Sequence, residues 1–205
     1  MAKYEIINGE GIIPNGTTEI EDNAFKMSSE LKSVTIPESV TKIGDHAFER
    51  CRNLKRVTIP NSVTKIGNGA FYRCLALTSI NIPEYVTEIG KWTFMECETM
   101  TSINIPESVT KIGKEAFKGC TALTSINIPD SVTEIGFDAF SGCWNLEELI
   151  LCHTDPTEIF DPEEVGLDAE QITLYVPKEG VAAFQEHWFW SECAAIKPIT
   201  DDMLK

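Results

Sequence analysis

Residues 77–99 read Leu77-Thr78-Ser79-Ile80-Asn81-Ile82-Pro83-Glu84-Tyr85-Val86-Thr87-Glu88-Ile89-Gly90-Lys91-Trp92-Thr93-Phe94-Met95-Glu96-Cys97-Glu98-Thr99, and close variants of this unit lie on both sides. Ile-Pro stands at 13–14, 36–37, 59–60, 82–83, 105–106 and 128–129, always 23 residues apart. Phe25, Phe48, Phe71, Phe94, Phe117 and Phe140 keep the same step. So do Ile-Gly from 43–44 to 135–136 and the column Cys51, Cys74, Cys97, Cys120, Cys143. No insertion interrupts the register from 8 to 151. A fixed period of this length marks a chain wound into stacked coils.

Within the unit, Ile80 and Ile82 flank Asn81, a period-two pattern that predicts a short strand with one buried face. Pro83 ends that strand, because it has no N–H to give to a ladder. Val86 and Ile89 turn the corner, and Gly90 is expected there at a positive φ. Phe94 and Cys97 predict a short turn or 3-10 helix on the opposite wall. Leu77, Ile80, Ile82, Val86, Ile89, Phe94 and Cys97 cannot all be buried inside one 23-residue coil. Stacking buries them at about 1.5–3 kcal/mol per large side chain.

The strand pattern Leu-x-x-Ile-x-Ile resembles the Leu-x-x-Leu-x-Leu of leucine-rich repeats. The fuller unit, Leu-Thr-Ser-Ile-x-Ile-Pro-x-Ser-Val-Thr-x-Ile-Gly-x-x-Ala-Phe-x-x-Cys, is similar to the BspA-like bacterial class, over about residues 4–151. The asparagine of common leucine-rich repeats is replaced by Ser39, Ser62, Tyr85, Ser108 and Ser131, and Tyr85 is expected to widen its turn. The resemblance implies a right-handed solenoid with a parallel β-sheet on the concave face, short turns or 3-10 helices opposite, and capped ends. It also implies a non-enzymatic protein-interaction module, a bacterial surface or secreted adhesion protein that binds host or surface proteins.

The chain reads as one domain: an N-terminal cap and weakened first repeat over 1–30, regular repeats over 31–151, and a C-terminal cap over 152–205. Asn8 and Gly11 occupy columns that elsewhere hold large apolar residues, so Tyr4, Ile6 and Ile7 are expected to cover the first coil. Register is lost over 152–170. Leu174-Tyr175-Val176-Pro177 predicts one more strand, and 178–190 an amphipathic helix with Val181, Phe184 and Trp188 on one face. Residues 196–199 predict a last short strand.

Charge divides unevenly. The net charge is −15, from 32 acids and 17 bases. Residues 144–205 carry 14 of those acids and 3 of the bases, leaving 18 and 14 for residues 1–143. This balance argues against nucleic acid as a partner, and no apolar run reaches the length that membrane insertion needs. Met-Ala-Lys-Tyr-Glu lacks the pattern of a signal peptide, so a cytoplasmic location stands as the alternative to the surface location that the resemblance implies.

Chemistry-bearing residues are sparse. The cysteine column lacks the CxxC spacing of zinc sites and sits beside Phe, which predicts reduced core thiols. Cys152 and His153 are adjacent, and neighbours on an extended segment point to opposite sides, so a nucleophile pair is disfavoured. Asn15-Gly16-Thr17 is a formal glycosylation sequon that reads as a turn. The aromatic run from His187 to Trp190 reads as cap packing. No catalytic, metal-binding or cofactor motif is present.

The outward strand positions form the candidate binding surface, in three columns. They are Lys32, Lys55, Thr78, Thr101 and Thr124; Arg56, Ser79, Ser102 and Ser125; and Thr58, Asn81, Asn104 and Asn127. The face runs from basic, through neutral, to acidic at Glu147 and Glu148, with Arg50, Arg52, Lys65 and Arg73 expected to reinforce the basic end. An acidic protein partner is expected at the N-terminal half. An intracellular scaffold and a hydrolase-like activity in the C-terminal cap are the competing readings.

Overall fold

The computed structural model describes residues 4–157 and 164–203. We count coils as residues 8–30, 31–53, 54–76, 77–99, 100–122 and 123–145. Each coil has a first strand wall, a corner, a second strand wall and a turn wall. The first wall carries β1 (Glu5–Ile7), β2 (Glu10–Ile12), β4 (Ser33–Thr35), β6 (Arg56–Thr58), β10 (Ser125–Ile128) and β12 (Glu148–Leu151). The second carries the two-residue strands β3 (Glu19–Ile20), β5 (Lys42–Ile43), β7 (Lys65–Ile66), β8 (Glu88–Ile89), β9 (Lys111–Ile112) and β11 (Glu134–Ile135). β13 (Thr173–Val176), α1 (Val181–Glu186) and β14 (Ala195–Pro198) form the C-terminal cap.

Strands of successive coils pair in parallel and in the register of the repeat: Val34 opposite Val57, Ile43 opposite Ile66, Ile89 opposite Ile112. The same columns are therefore stacked side by side. Phe25 to Phe140 form a continuous pile with ring centroids 5.3–5.7 Å apart and near-parallel planes. The repeat Ile, Leu, Val, Phe and Cys positions that point inward are buried, with Val57 partly so. This is the core the pattern called for.

The turn wall is neither strand nor 3-10 helix. Alternate amides bond back three residues within the coil, as Cys51 N–H does to Phe48 O at 3.1 Å. The others donate forward to the next coil: His46 to Asn68 O (2.9 Å), Phe48 to Ala70 O (2.8 Å), Arg50 to Tyr72 O (2.7 Å). This alternation forces left-handed backbone two residues before and after each Phe, even at Asn23, Met27, His46, Arg50, Trp92 and Glu96, where no glycine relieves it.

The conserved-spacing glycines have a different reason from the one expected. Gly44, Gly67, Gly90, Gly113 and Gly136 do not have positive φ. They admit the preceding coil: a Cβ on Gly67 would lie 2.5 Å from Asp45 N, and on Gly113 2.6 Å from Lys91 N. Beside them, carboxylate or amide oxygens of Asp22, Asp45 and Asn68 each accept the N–H of the residue one coil on, at 2.7, 2.8 and 2.9 Å.

The stack is not uniform. Ser39, Ser62, Ser108 and Ser131 donate to a corner carbonyl of the preceding coil at 2.6–2.8 Å. Tyr85 cannot, and its side chain stands 64% exposed. At that junction, between the third and fourth coils, no ladder joins β6 to the fourth coil or β7 to β8. The ladder is thus interrupted on both strand walls at the coil that carries Tyr85.

At the N-terminus, Asn8 and Gly9, both at positive φ, make the two-residue turn of an antiparallel β1–β2 hairpin. Tyr4 extends the Phe pile at 5.2 Å from Phe25, and Ile6 packs on the core. Ile7 does not, being 51% exposed on the far side of β1. At the C-terminus, β12, β13 and β14 continue the first-wall sheet in parallel. The helix is shorter than the pattern suggested: His187 is already extended. Trp188 therefore swings out to 60% exposure, and Trp190 takes the buried place against Phe184, with centroids 6.0 Å apart.

Candidate interaction surface

Alternation along the first strand wall places the candidate residues outward while their neighbours fill the core. Lys32, Lys55, Arg56, Thr58, Thr78, Ser79, Asn81, Thr101, Ser102, Asn104 and Thr124 are exposed, and Ser125 and Asn127 half-buried. Asn81 pairs in register with Asn104, and Thr58 with Thr35. The residues thus lie on the outer side of the first strand wall, paired in register between the second and third coils and between the fourth and fifth.

Among the described residues, Lys32, Lys55 and Arg56 form no ion pair, whereas the solenoid's other walls neutralise many of their cations. On the second strand wall Lys42 pairs with Glu19, and Lys111 with Glu134 at 2.6 Å. These bonds hold both ammonium groups above their ordinary value. On the turn wall Arg73 grips Glu96 with two bonds of 2.7 and 3.0 Å, and Lys118 meets Asp138 at 2.7 Å. Glu49, 5% exposed, draws in Lys26 and His46, each at 2.9 Å. Arg50 and Arg73 stack on Tyr72. Arg50, Arg73 and Lys65 therefore do not reinforce the basic end of the first wall; they belong to other walls. Arg52 lies exposed just after Cys51, at the corner leading back to the first wall.

The first-wall sheet also runs further than the sequence pattern suggested, through a buried Ile150. Asn127 is in register with Ile150, Ile150 with Tyr175, and Tyr175 with Lys197. Lys197 lies over the Tyr175 ring, 5.8 Å from its centroid. The burial of Leu174 and Val176 on either side turns Tyr175 outward, a signal already present in the Leu174–Pro177 pattern.

The repeat cysteines are free and buried. Each Sγ–H donates to the carbonyl of a Phe in the preceding coil, from Cys51 to Phe25 at 2.9 Å through Cys143 to Phe117 at 3.2 Å. Burial pushes the Cys51 and Cys143 thiols up to about 12, and those of Cys74, Cys97 and Cys120 well above their ordinary value. Such thiols are poor nucleophiles. Cys152 reaches Asn127 Oδ1 at 3.5 Å, while the His153 ring faces Val132 O at 3.1 Å, so the two do not form a dyad. Thr17 bonds back to Pro14 O, closing the expected turn at Asn15-Gly16. No cluster of metal-ligating side chains occurs among the described residues, and no helix among them is long and apolar enough to cross a membrane.

These features define a parallel β-solenoid of the leucine-rich-repeat kind. The BspA type leucine rich repeat region matches six times over residues 18–147, and the chain belongs to that family. It is similar to a T. pallidum leucine-rich repeat protein of known structure, at 31% identity and a TM-score of 0.65, over 71% of this chain and 77% of that one. It is also similar to a leucine-rich repeat protein from Bacteroides ovatus, at 25% identity and a TM-score of 0.62, over 91% of this chain and 54% of that one. No curated protein gave a significant match.

Proposed function

We propose that this protein is a non-enzymatic protein-interaction module, a single domain over 1–205 that forms a right-handed solenoid and binds on the concave, first-wall face. The observation that carries the reading is the contrast in charge use. Lys32, Lys55 and Arg56 stand exposed without an acid, beside rows of Thr, Ser and Asn, while Lys42, Arg73, Lys111 and Lys118 on the other walls are paired. Unpaired cations attract an acidic segment over a Debye length of about 8–10 Å and set its approach rate. The partner is an acidic stretch of protein lying along the N-terminal half. Membership of the BspA-type repeat family supports a surface or secreted setting, with adhesion as the role.

A fluorescent peptide rich in Asp and Glu, followed by anisotropy, tests the site. Binding should weaken with salt and be lost in the Lys55→Glu, Arg56→Glu double variant. It should persist in Lys111→Glu, whose lysine is paired on the second wall. Unchanged affinity and salt dependence in the double variant would remove the site. For the setting, a secretion leader encoded upstream of Met1 supports the surface role, and its absence favours an intracellular scaffold.

A further inference from the structure

We infer that the junction between the third and fourth coils is a flexural joint, at which the solenoid bends as two blocks about an axis along the turn wall. The inference is independent of the interaction reading above and rests on what binds one coil to the next.

On the second wall, every junction but this one from the first coil to the sixth carries the same two amide bonds. Thr41, Thr64, Thr110 and Thr133 donate to the threonine one coil back at 2.9–3.0 Å. Gly44, Gly67, Gly113 and Gly136 donate to the preceding Ile at 2.7–2.9 Å. Thr87 and Gly90, the fourth-coil members of these columns, form neither bond. Thr41, Thr64, Thr110 and Thr133 also donate their hydroxyls to the preceding threonine, and Thr87 does not. The first wall is unladdered here as well.

The turn wall behaves in the opposite way. Gly69, Phe71 and Arg73 donate across the same junction at 2.8, 2.9 and 2.9 Å. Phe71 stacks on Phe94 at 5.7 Å, and the two bonds from Arg73 to Glu96 strap the outside. Both strand walls lack their ladder, while the bonds across the junction begin at Lys91 N–H, which donates to Asn68 Oδ1 at 2.9 Å, and continue along the turn wall; that arrangement makes a hinge. Where the first wall loses its ladder again, between the fifth and sixth coils, β9 and β11 remain paired on the second, so that junction cannot open in this way.

The cause is local. At this corner the serine that ties each coil to the one before is replaced by Tyr85, whose bulky ring stands in solvent. The joint lies between Arg56 and Ser79, so it separates the basic block of the first wall from the neutral one.

Amide hydrogen exchange of the full chain, read residue by residue by NMR, tests the joint. Thr87 and Gly90 should exchange about tenfold or more faster than Thr64, Gly67, Thr110 and Gly113, with Gly69, Phe71 and Arg73 protected. Tyr85→Ser should slow Thr87 and Gly90 to the rate of their column, and Tyr85→Phe should leave them fast. Ser108→Tyr should transplant fast exchange to Thr110 and Gly113 while the turn-wall amides stay protected. Equal rates along the columns in the native protein would overturn the joint, as would fast exchange of Gly69, Phe71 and Arg73. Failure of Tyr85→Ser to slow Thr87 and Gly90 would overturn its cause.

Discussion

Raising the pH from 8 to 9.5 should weaken this fold through its cysteines alone. In the unfolded chain a thiol ionises near 9.0, and in the fold Cys51 and Cys143 hold their protons to about 12. The folded value is raised, so the unfolded state loses protons first. The stabilisation is complete below pH 9 and is lost progressively as pH rises toward 12. Over this interval the loss is about 0.8 kcal/mol per thiol, or about 4 kcal/mol for the column of five. Burial is the main cause, since a thiolate in this dry core would lose its hydration; each Sγ–H also points at a Phe carbonyl of the coil before. Urea unfolding under reducing conditions, at both pH values, should be compared with the Cys74→Ala, Cys97→Ala, Cys120→Ala variant. That variant starts less stable but should lose about 2.4 kcal/mol less than the native protein over the same interval, three thiols having been removed. An equal loss in both proteins would refute the reasoning.

Gly113→Ala should cost more than about 2 kcal/mol, because its Cβ would meet Lys91 N at 2.6 Å. Gly16→Ala, with nothing within 4 Å, should cost only the 1–2 kcal/mol of its positive φ, about the backbone penalty alone; thermal melts separate the two. Burial lowers the His153 value below 6.5, so stability should fall as pH drops under 6.5. His153→Gln should flatten that dependence in denaturant titrations between pH 7 and 5, about the range where an ordinary histidine charges. Trp190→Ala should cost about 3–5 kcal/mol and Trp188→Ala less than about 0.5; similar losses would contradict the placement of the cap.

The columns of Ile, Phe and Cys were legible because burial selects the residue type and the period repeats the selection. Tyr85 was legible for the same reason, as one exception in a serine column. Features without a side-chain signature are not legible in this way. A glycine needed for close approach looks the same in sequence as one needed for positive φ, so the composition of the column does not separate the two roles at Gly90. The left-handed positions of the turn wall hold Asn23, His46, Trp92 and Glu115, which have no chemistry in common. Backbone bonds between coils impose their conformation, and no single coil contains that information. In the cap, Trp188 and Trp190 compete for one buried place, and the helix end at His187 decides between them. The charged end of the interaction face was readable as composition. That Arg73 and Lys65 lie on other walls follows only from the winding.

The forward bonds of the turn wall have a consequence for how the protein begins and stops. All of them point the same way, with the N–H in one coil and the carbonyl in the next. An uncapped stack would therefore end in donors at one tip and acceptors at the other, and could add subunits head to tail without limit, as a growing polymer does. Asp138 and Phe140 carry the donors of the last full coil, and they are quenched by the carbonyls of Glu164 and Val165 at 2.7 and 2.9 Å. The segment that breaks the repeat is thus a chain terminator. Cutting the protein at Leu151, where the sequence pattern looks complete, would leave a reactive end.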